Sequence, residues 1–252
     1  MKKIHTIYIS LLILLSFLII ITNTPSLSNL SSPVSNIVNN KIAYLTFDDG
    51  PSENTNKILN ILDKYQIKAT FFVVGPSYKL KNDLLNNIVS KGHKLAIHSY
   101  NHEYSKIYEN DMSYIKDFYE CFNWIKKTTG EVPHIYRFPG GSSNTIAKKK
   151  DILKIIEKLD QDGFYHVDWN VDSFDSHYNT DPQAIIKTTL NYIKINESND
   201  KFTQTILFHD NKKKVATIEA LPKIIESLMS KKYIFATLNE TSPLIQHIKK
   251  PA

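Results

Sequence analysis

Apolar residues recur along this chain with two periods, and the switches between them divide it into elements. Short runs that read as buried on both faces, such as Ala69–Val74 (ATFFVV) and Thr205–Phe208 (TILF), predict strands. Strands are expected near 41–47, 69–74, 94–98, 134–137, 164–169, 203–208 and 233–237. Helical spacing fits 54–66, where Ile58, Leu59, Ile61, Leu62 and Tyr65 make one apolar stripe. It also fits 81–91, 111–129, 146–161, 182–194 and 215–231. Gly92, Gly130 and Gly163 follow three of these helices, as C-terminal caps do. Seven strands alternating with six helices predict a parallel α/β barrel or sheet. One domain over 41–240 accounts for them, leaving 241–252 as a C-terminal tail.

The N-terminus follows a different pattern. Lys2, Lys3 and His5 precede an apolar stretch, Ile7–Ile21, interrupted only by Ser10 and Ser16. A basic start followed by an apolar run has the layout of an export signal, and residues 1–21 are expected to be a signal peptide or an N-terminal membrane anchor. No A-x-A cleavage site and no lipidation cysteine follow, which favours the anchor. The basic end would stay in the cytoplasm and the bulk of the chain would lie outside it. Residues 22–40, rich in Ser, Asn, Thr and Pro, read as a linker.

Composition changes this picture little. With 42% hydrophobic residues among 252, the chain can build a sizeable core. The net charge of +6 is scattered, and its two tight runs, Lys148–Lys150 and Lys212–Lys214, read as solvated surface. There is no zinc-finger spacing and no glycine-rich phosphate loop, so no nucleic-acid partner is expected, and the domain is expected to be a monomer. Cys121 is the sole cysteine, which rules out an intrachain disulfide.

Chemistry gathers at the predicted C-terminal strand tips, where parallel α/β folds place their sites. The first strand ends in Asp48-Asp49 before Gly50-Pro51. Two adjacent carboxylates repel unless a cation or a proton intervenes. The third strand ends in His98-Ser-Tyr-Asn-His102, whose i, i+4 spacing turns two imidazoles to one side. Two histidines and one carboxylate leave an open position for water, the layout of a catalytic divalent-metal site. Zinc suits it first, and cobalt, nickel or iron also fit. One aspartate can then hold the cation while the other faces the water. The plainer alternative is that the aspartates cap the helix at 54–66.

Five segments together resemble the ordered motifs of the polysaccharide deacetylase (NodB-homology) family, the family 4 carbohydrate esterases. They are Thr46–Pro51 (TFDDGP), His98–His102 (HSYNH), Arg137–Gly141 (RFPGG), Asp172–Asp175 (DSFD) and Leu207–Asp210 (LFHD). The resemblance implies a distorted (β/α)7 barrel as a single catalytic domain. It also implies metal-dependent removal of N-acetyl groups from a glycan. By motif position Asp48 resembles the general base, and Asp49, His98 and His102 resemble the metal ligands. Arg137 resembles the partner of the base. His209 resembles the general acid and Asp175 the carboxylate paired with it. Gly140 stands where a backbone N–H helps to hold the oxyanion, with Phe138 and Trp169 expected beside the substrate. The family often has an aromatic residue where this chain has Gly140, and tryptophan where it has Ser176. Either Trp169 and Phe174 replace the lost apolar wall or the cleft is more open.

The expected substrate is cell-wall peptidoglycan or a chitin-like glycan, met outside the cytoplasm. An O-acetyl esterase or another amide hydrolase would use the same site. A wall-binding module without activity would be expected to lack one of the aspartates or His209, and all are present.

Overall fold

The computed structural model describes residues 41–76, 80–177 and 181–249. The expected signal or anchor at 1–21 and the linker at 22–40 lie outside the described residues. Among the described residues no helix is long and apolar enough to cross a membrane.

Strand β1 (Ile42–Asp48) is the axis of the fold. It pairs in parallel with β7 (Thr203–His209) along its whole length and with β2 (Thr70–Val74) at its C-terminal end. The sheet continues through β3 (Lys94–Ser99) and β4 (Ile135–Tyr136) to β5 (Tyr165–His166) on one side. On the other side β6 (Val171–Asp172) follows β7, and β8 (Ile234–Phe235) pairs with the start of β1. All the pairings are parallel, so every strand tip faces one rim, and the sheet curls into the distorted barrel that was expected.

The helices are α1 (Thr55–Lys64), α2 (Leu80–Ser90), α3 (Tyr104–Ile107), α4 (Asp111–Thr129), α5 (Lys149–Gln161), α6 (Pro182–Ser198) and α7 (Val215–Ser230). Helix α1 buries Ile58, Leu59 and Leu62 from the predicted stripe. Gly130 caps α4 with φ 78°, and Gly92 and Gly163 take positive φ just beyond α2 and α5. Helix α5 starts later than its apolar spacing suggested. The Asn144 carboxamide oxygen accepts the Ile146 and Ala147 N–H groups and holds that stretch as a turn.

Side-chain alternation divides the core in two. Ala43, Leu45 and Phe47 of β1 face the helices, where Phe47 stacks on Phe71 at 5.1 Å and on Phe208 at 5.6 Å. Fully burying such a ring is worth about 1.5–3 kcal/mol. The opposite face of β1 presents Tyr44, Thr46 and Asp48. Tyr44 joins Phe72, Ala96, Ile135, Val167 and Leu238 in a second, interior cluster. Asp48 therefore ends the inward-facing row of the central strand.

The strand expected at 164–169 shortens to β5, and β6 begins only beyond it, at Val171. The backbone between them bonds elsewhere, with Asp168 N–H donating to Ile245 O and Asn170 N–H to Thr205 O. Among the described residues β5 and β6 do not pair with each other. The segment expected as a tail fills the gap between them. His247 N–H donates to the Asp168 carboxylate at 2.7 Å, and Ile248 N–H donates to Ser142 Oγ at 3.0 Å. Described residues beyond 240 are thus bonded into the barrel.

Candidate active site

The rim above β1, β3, β4, β6 and β7 carries a cleft of about 360 Å³. Asp48, Asp49, His98, His102, Gly140, Trp169 and His209 all line it. Parallel pairing sets the first part of this arrangement, because Asp48 is the register partner of His209 in β7. In β3 a bulge skips His98 in the register with β2. Such irregularities re-aim side chains at the end of a strand.

Asp49 and His102 occupy the left-handed region, with φ 71° and 57°. The turn beneath Asp49 requires glycine, because a Cβ on Gly50 would stand 2.5 Å from Asp210 Oδ2. Asp210 is buried under that turn. Its carboxylate accepts from Ser52 Oγ and Thr55 Oγ1, and its N–H donates to Asp48 O. Burial, aided by the charge of Asp49, raises its pKa to about 6. On the histidine side, Asp117 of α4 is buried and accepts from Ser99 Oγ, Tyr100 N–H and Asn101 N–H at 2.6–2.8 Å. His102 N–H donates to Ser99 Oγ at 2.8 Å. The turn that brings His102 back over His98 is therefore held by a side chain fifteen or more residues away.

The three residues expected as metal ligands converge. Asp49 Oδ1 lies 3.3 Å from His102 Nε2 and 3.6 Å from His98 Nε2. One donor atom from each residue can be chosen so that all three lie within 4.8 Å of one another. Ligands about 2.0–2.1 Å from a zinc-sized cation stand roughly 3.3 Å apart in a tetrahedron, so the three groups fit a single ion. His98 Nδ1 lies 2.9 Å from Arg137 O. A carbonyl only accepts, so Nδ1 carries the hydrogen and Nε2 faces the carboxylates with a free lone pair. Burial also lowers the His98 pKa and favours the neutral ring. For Asp49 burial acts to raise the pKa, but the charges of His209, His98 and His102 outweigh it, with a net lowering.

Arg137 is fully buried inside the barrel and all its bonds go to named acceptors. Nη1 donates to Asp48 Oδ1 at 2.8 Å and to Thr46 Oγ1 at 2.9 Å. Nε donates to Val167 O and Nη2 to Asp168 O. Its guanidinium lies 4.1 Å from the centre of the Phe72 ring. Arg137 thereby fixes Asp48 Oδ1, while Oδ2 stands 3.8 Å from His98 Nε2.

On the opposite wall His209 Nδ1 meets Asp175 Oδ1 at 2.6 Å. Asp175 Oδ2 accepts from His209 N–H and Thr217 Oγ1, and the Lys214 ammonium donates to Asp175 O. Burial alone would lower the His209 pKa. The hydrogen bond and charge of Asp175, with the charges of Asp49 and Asp48, raise it to about 9. Asp175 moves the other way, its burial outweighed by the bond to His209.

Gly140 and Gly141 both have positive φ. A Cβ on Gly141 would lie 2.9 Å from the Trp169 ring, and one on Gly140 would lie 3.2 Å from the Tyr104 hydroxyl. Gly141 N–H is bonded to Phe138 O at 2.7 Å, whereas Gly140 N–H has no acceptor among the described residues. Trp169 lines the cleft, as expected. Phe138 does not, which corrects its expected place beside the substrate. It is fully buried against Tyr114 at 4.8 Å and Tyr136 at 5.3 Å, because alternation turns Arg137 inward and its neighbour outward.

The motifs alone did not point to several residues of the site. Tyr104, Asn211 and Lys214 line the cleft, and Asn211 Nδ2 donates to Asp49 Oδ2 at 3.2 Å. Nothing in their spacing marks them. Asp117 did leave a signal, a charged residue on the face of α4 that buries Tyr114, Phe118, Cys121 and Ile125.

A curled parallel barrel whose strand tips bring a cluster of one carboxylate and two imidazoles against a third imidazole paired with its own carboxylate defines a class of hydrolytic barrel enzymes. Comparison with known proteins makes this specific. Residues 35–162 match the family model for polysaccharide deacetylases, and the chain belongs to that family. A peptidoglycan-N-acetylglucosamine deacetylase of Bacillus cereus is 33% identical over 203 residues, covering 80% of this chain and 71% of the relative. Among solved structures, the catalytic domain of a peptidoglycan N-acetylglucosamine deacetylase from Eubacterium rectale superposes with a TM-score of 0.76 at 32% identity. That alignment covers 83% of this chain and 93% of the other. A polysaccharide deacetylase from Bacillus cereus gives 0.70 at 31% identity, covering 82% and 97%.

Proposed function

We propose that this enzyme hydrolyses the N-acetyl groups of N-acetylglucosamine residues in a cell-wall glycan of the peptidoglycan type. The observation that carries this reading is the opposition of two proton carriers across one cleft. Asp48, held by Arg137, stands on one side, and His209, held cationic by Asp175, stands on the other. An amide needs both, because water must lose a proton as it attacks and the amine must gain one as it leaves. The substrate class rests on the named relatives in Bacillus cereus and Eubacterium rectale.

Asp49, His98 and His102 would hold a divalent cation, zinc first, which when bound supplies Lewis acidity to a water and to the acetyl carbonyl. Asp48 Oδ2 takes the proton from the attacking water, since Oδ1 is already engaged by Arg137. Gly140 N–H, which has no acceptor among the described residues, donates to the carbonyl oxygen as negative charge develops there. One such donor is worth about 3 kcal/mol. His209 Nε2, opposite the nitrogen engaged by Asp175, gives its proton to the departing sugar amine. The C–N bond breaks, leaving acetate and a glucosamine residue. Export through the N-terminal segment, cleaved or kept as an anchor, would place this chemistry at the wall.

The test is acetate release from peptidoglycan and from N-acetylglucosamine oligomers by metal-stripped and zinc- or cobalt-restored protein. Activity should vanish on stripping and return on restoration. No acetate from any of these glycans in the restored protein would refute the reading.

A pH prediction follows from the His209–Asp175 pair. The working acid is the protonated imidazole, which is lost as pH rises through its pKa. Asp175→Asn leaves burial, which lowers that pKa, without its main opponent. A cation on Asp49 cancels much of the help from that side, so Asp175 is the decisive partner. The alkaline limb of the kcat/KM profile should move to lower pH by about one unit or more, a change of ~1.4 kcal/mol per unit. An unmoved limb would show that Asp175 does not set the acid.

A further inference from the structure

Six non-glycine residues have positive φ among the described residues, namely Asp49, Gln66, His102, Phe174, Asp200 and Lys232. Three of them are ordinary helix terminators. Gln66, Asp200 and Lys232 follow α1, α6 and α7, and the next residue in each case donates its N–H back into the helix, to Leu62 O, Asn196 O and Leu228 O. The other three stand around the cleft. Asp49 and His102 belong to the candidate metal cluster, and the third is Phe174.

A left-handed conformation is costly for a bulky aromatic residue, on the order of 1–3 kcal/mol, and persists only where the surroundings impose it. Here Phe174 N–H donates to Asp172 Oδ1 at 2.7 Å, and Phe174 O accepts from His177 N–H at 3.2 Å. The strain does not serve to bury the residue, which remains 37% exposed. Instead the ring is displayed. It stacks on Tyr192 of α6 with centroids 6.0 Å apart and planes 20° apart, and it lies 5.3 Å from the His177 ring. Tyr192 is itself 36% exposed. Asp172, Ser176 and His177, the neighbours of Phe174 in the same loop, line the cleft, whereas Phe174 stands just outside it.

We infer that Phe174 and Tyr192 form a stacking platform for a pyranose ring of the glycan, at least two units removed from the sugar whose acetyl group enters the cleft. Pyranose rings present a face of C–H groups, and exposed aromatic rings offer the complementary apolar surface at low conformational cost. Continuity with the cleft through His177 and Ser176 fixes the occupant as the same chain that occupies the site. This inference rests on the glycan reading of the site, and its test separates the two.

The experiment uses the full chain with Phe174→Ala, Phe174→Gly and Tyr192→Ala. The glycine variant accepts the positive φ without strain, which guards against misfolding. Two readouts are taken, kcat and KM on N-acetylglucosamine di- and pentasaccharides, and the Kd of the pentasaccharide for metal-free protein. The platform predicts a rise of about 5–10-fold in KM and Kd for the pentasaccharide, kcat within twofold, and disaccharide kinetics within twofold of the parent. Phe174→Trp should restore tight binding. Equal losses on both lengths, unchanged pentasaccharide binding in all three variants, or a parent that binds no pentasaccharide would each overturn it. A parent that binds the pentasaccharide through Phe174 but releases no acetate would uphold the platform and refute the deacetylase reading.

Discussion

Asp48→Asn should lower kcat by about 10²–10⁴-fold with KM nearly unchanged, the range expected when a positioned proton acceptor is removed. The amide oxygen can still accept from Arg137 Nη1, and the side chain keeps its size, so the buried pair with Arg137 loses charge but not shape. What is lost is a group able to take a proton from water. Asp49, His98 and His102 are untouched, so metal content per chain should equal that of the parent. Asp49→Ala provides the contrast, since it should lose the metal and the activity together. Measuring metal stoichiometry beside kcat tells the two roles apart. An Asp48→Asn enzyme retaining a tenth or more of the parent kcat at full metal occupancy would remove Asp48 from the role of base.

Arg137→Ala should destabilise the metal-free protein by about 3–5 kcal/mol in denaturant unfolding, the cost of leaving a buried charge without its partner. Asp48 and Arg137 are both almost wholly inaccessible to water, so solvent cannot take the place of the lost guanidinium. Val167 O and Asp168 O also lose their donors, and the Phe72 ring loses its cationic cover. Saturating zinc should reduce the deficit, because a cation beside Asp48 supplies part of the missing positive charge and binding favours the folded state. Arg137→Lys should rescue little, since an ammonium cannot reproduce a planar fork that reaches four acceptors. A loss below ~1 kcal/mol would mean that Asp48 is relieved by some other group.

Local pattern carried far in this chain because the elements follow local rules. Ile58, Leu59 and Leu62 announced the inner face of α1, and the buried runs of β1, β2 and β7 announced a parallel sheet. Strand polarity then placed Asp48-Asp49, His98, Arg137 and His209 at one rim before any distance was known. Pattern was weaker where side chains replace the ladder. Around Asp168 and Asn170, hydrogen bonds to residues 245 and 205 end one strand and begin another, and no window of neighbouring residues contains those partners.

The sequence by itself determined which chemical groups are present, their order along the chain and the rim on which they gather, since strand period and helix period are properties of neighbouring residues. Only the tertiary structure decided that Phe138 belongs to the core, that Asp117 and Asp210 hold the two ligand-bearing turns, that the segment 242–249 closes the gap beside β5, and that Phe174 is held strained and exposed. These depend on contacts between residues from sixteen to more than one hundred and fifty positions apart, or on a backbone conformation that the surroundings impose against local preference.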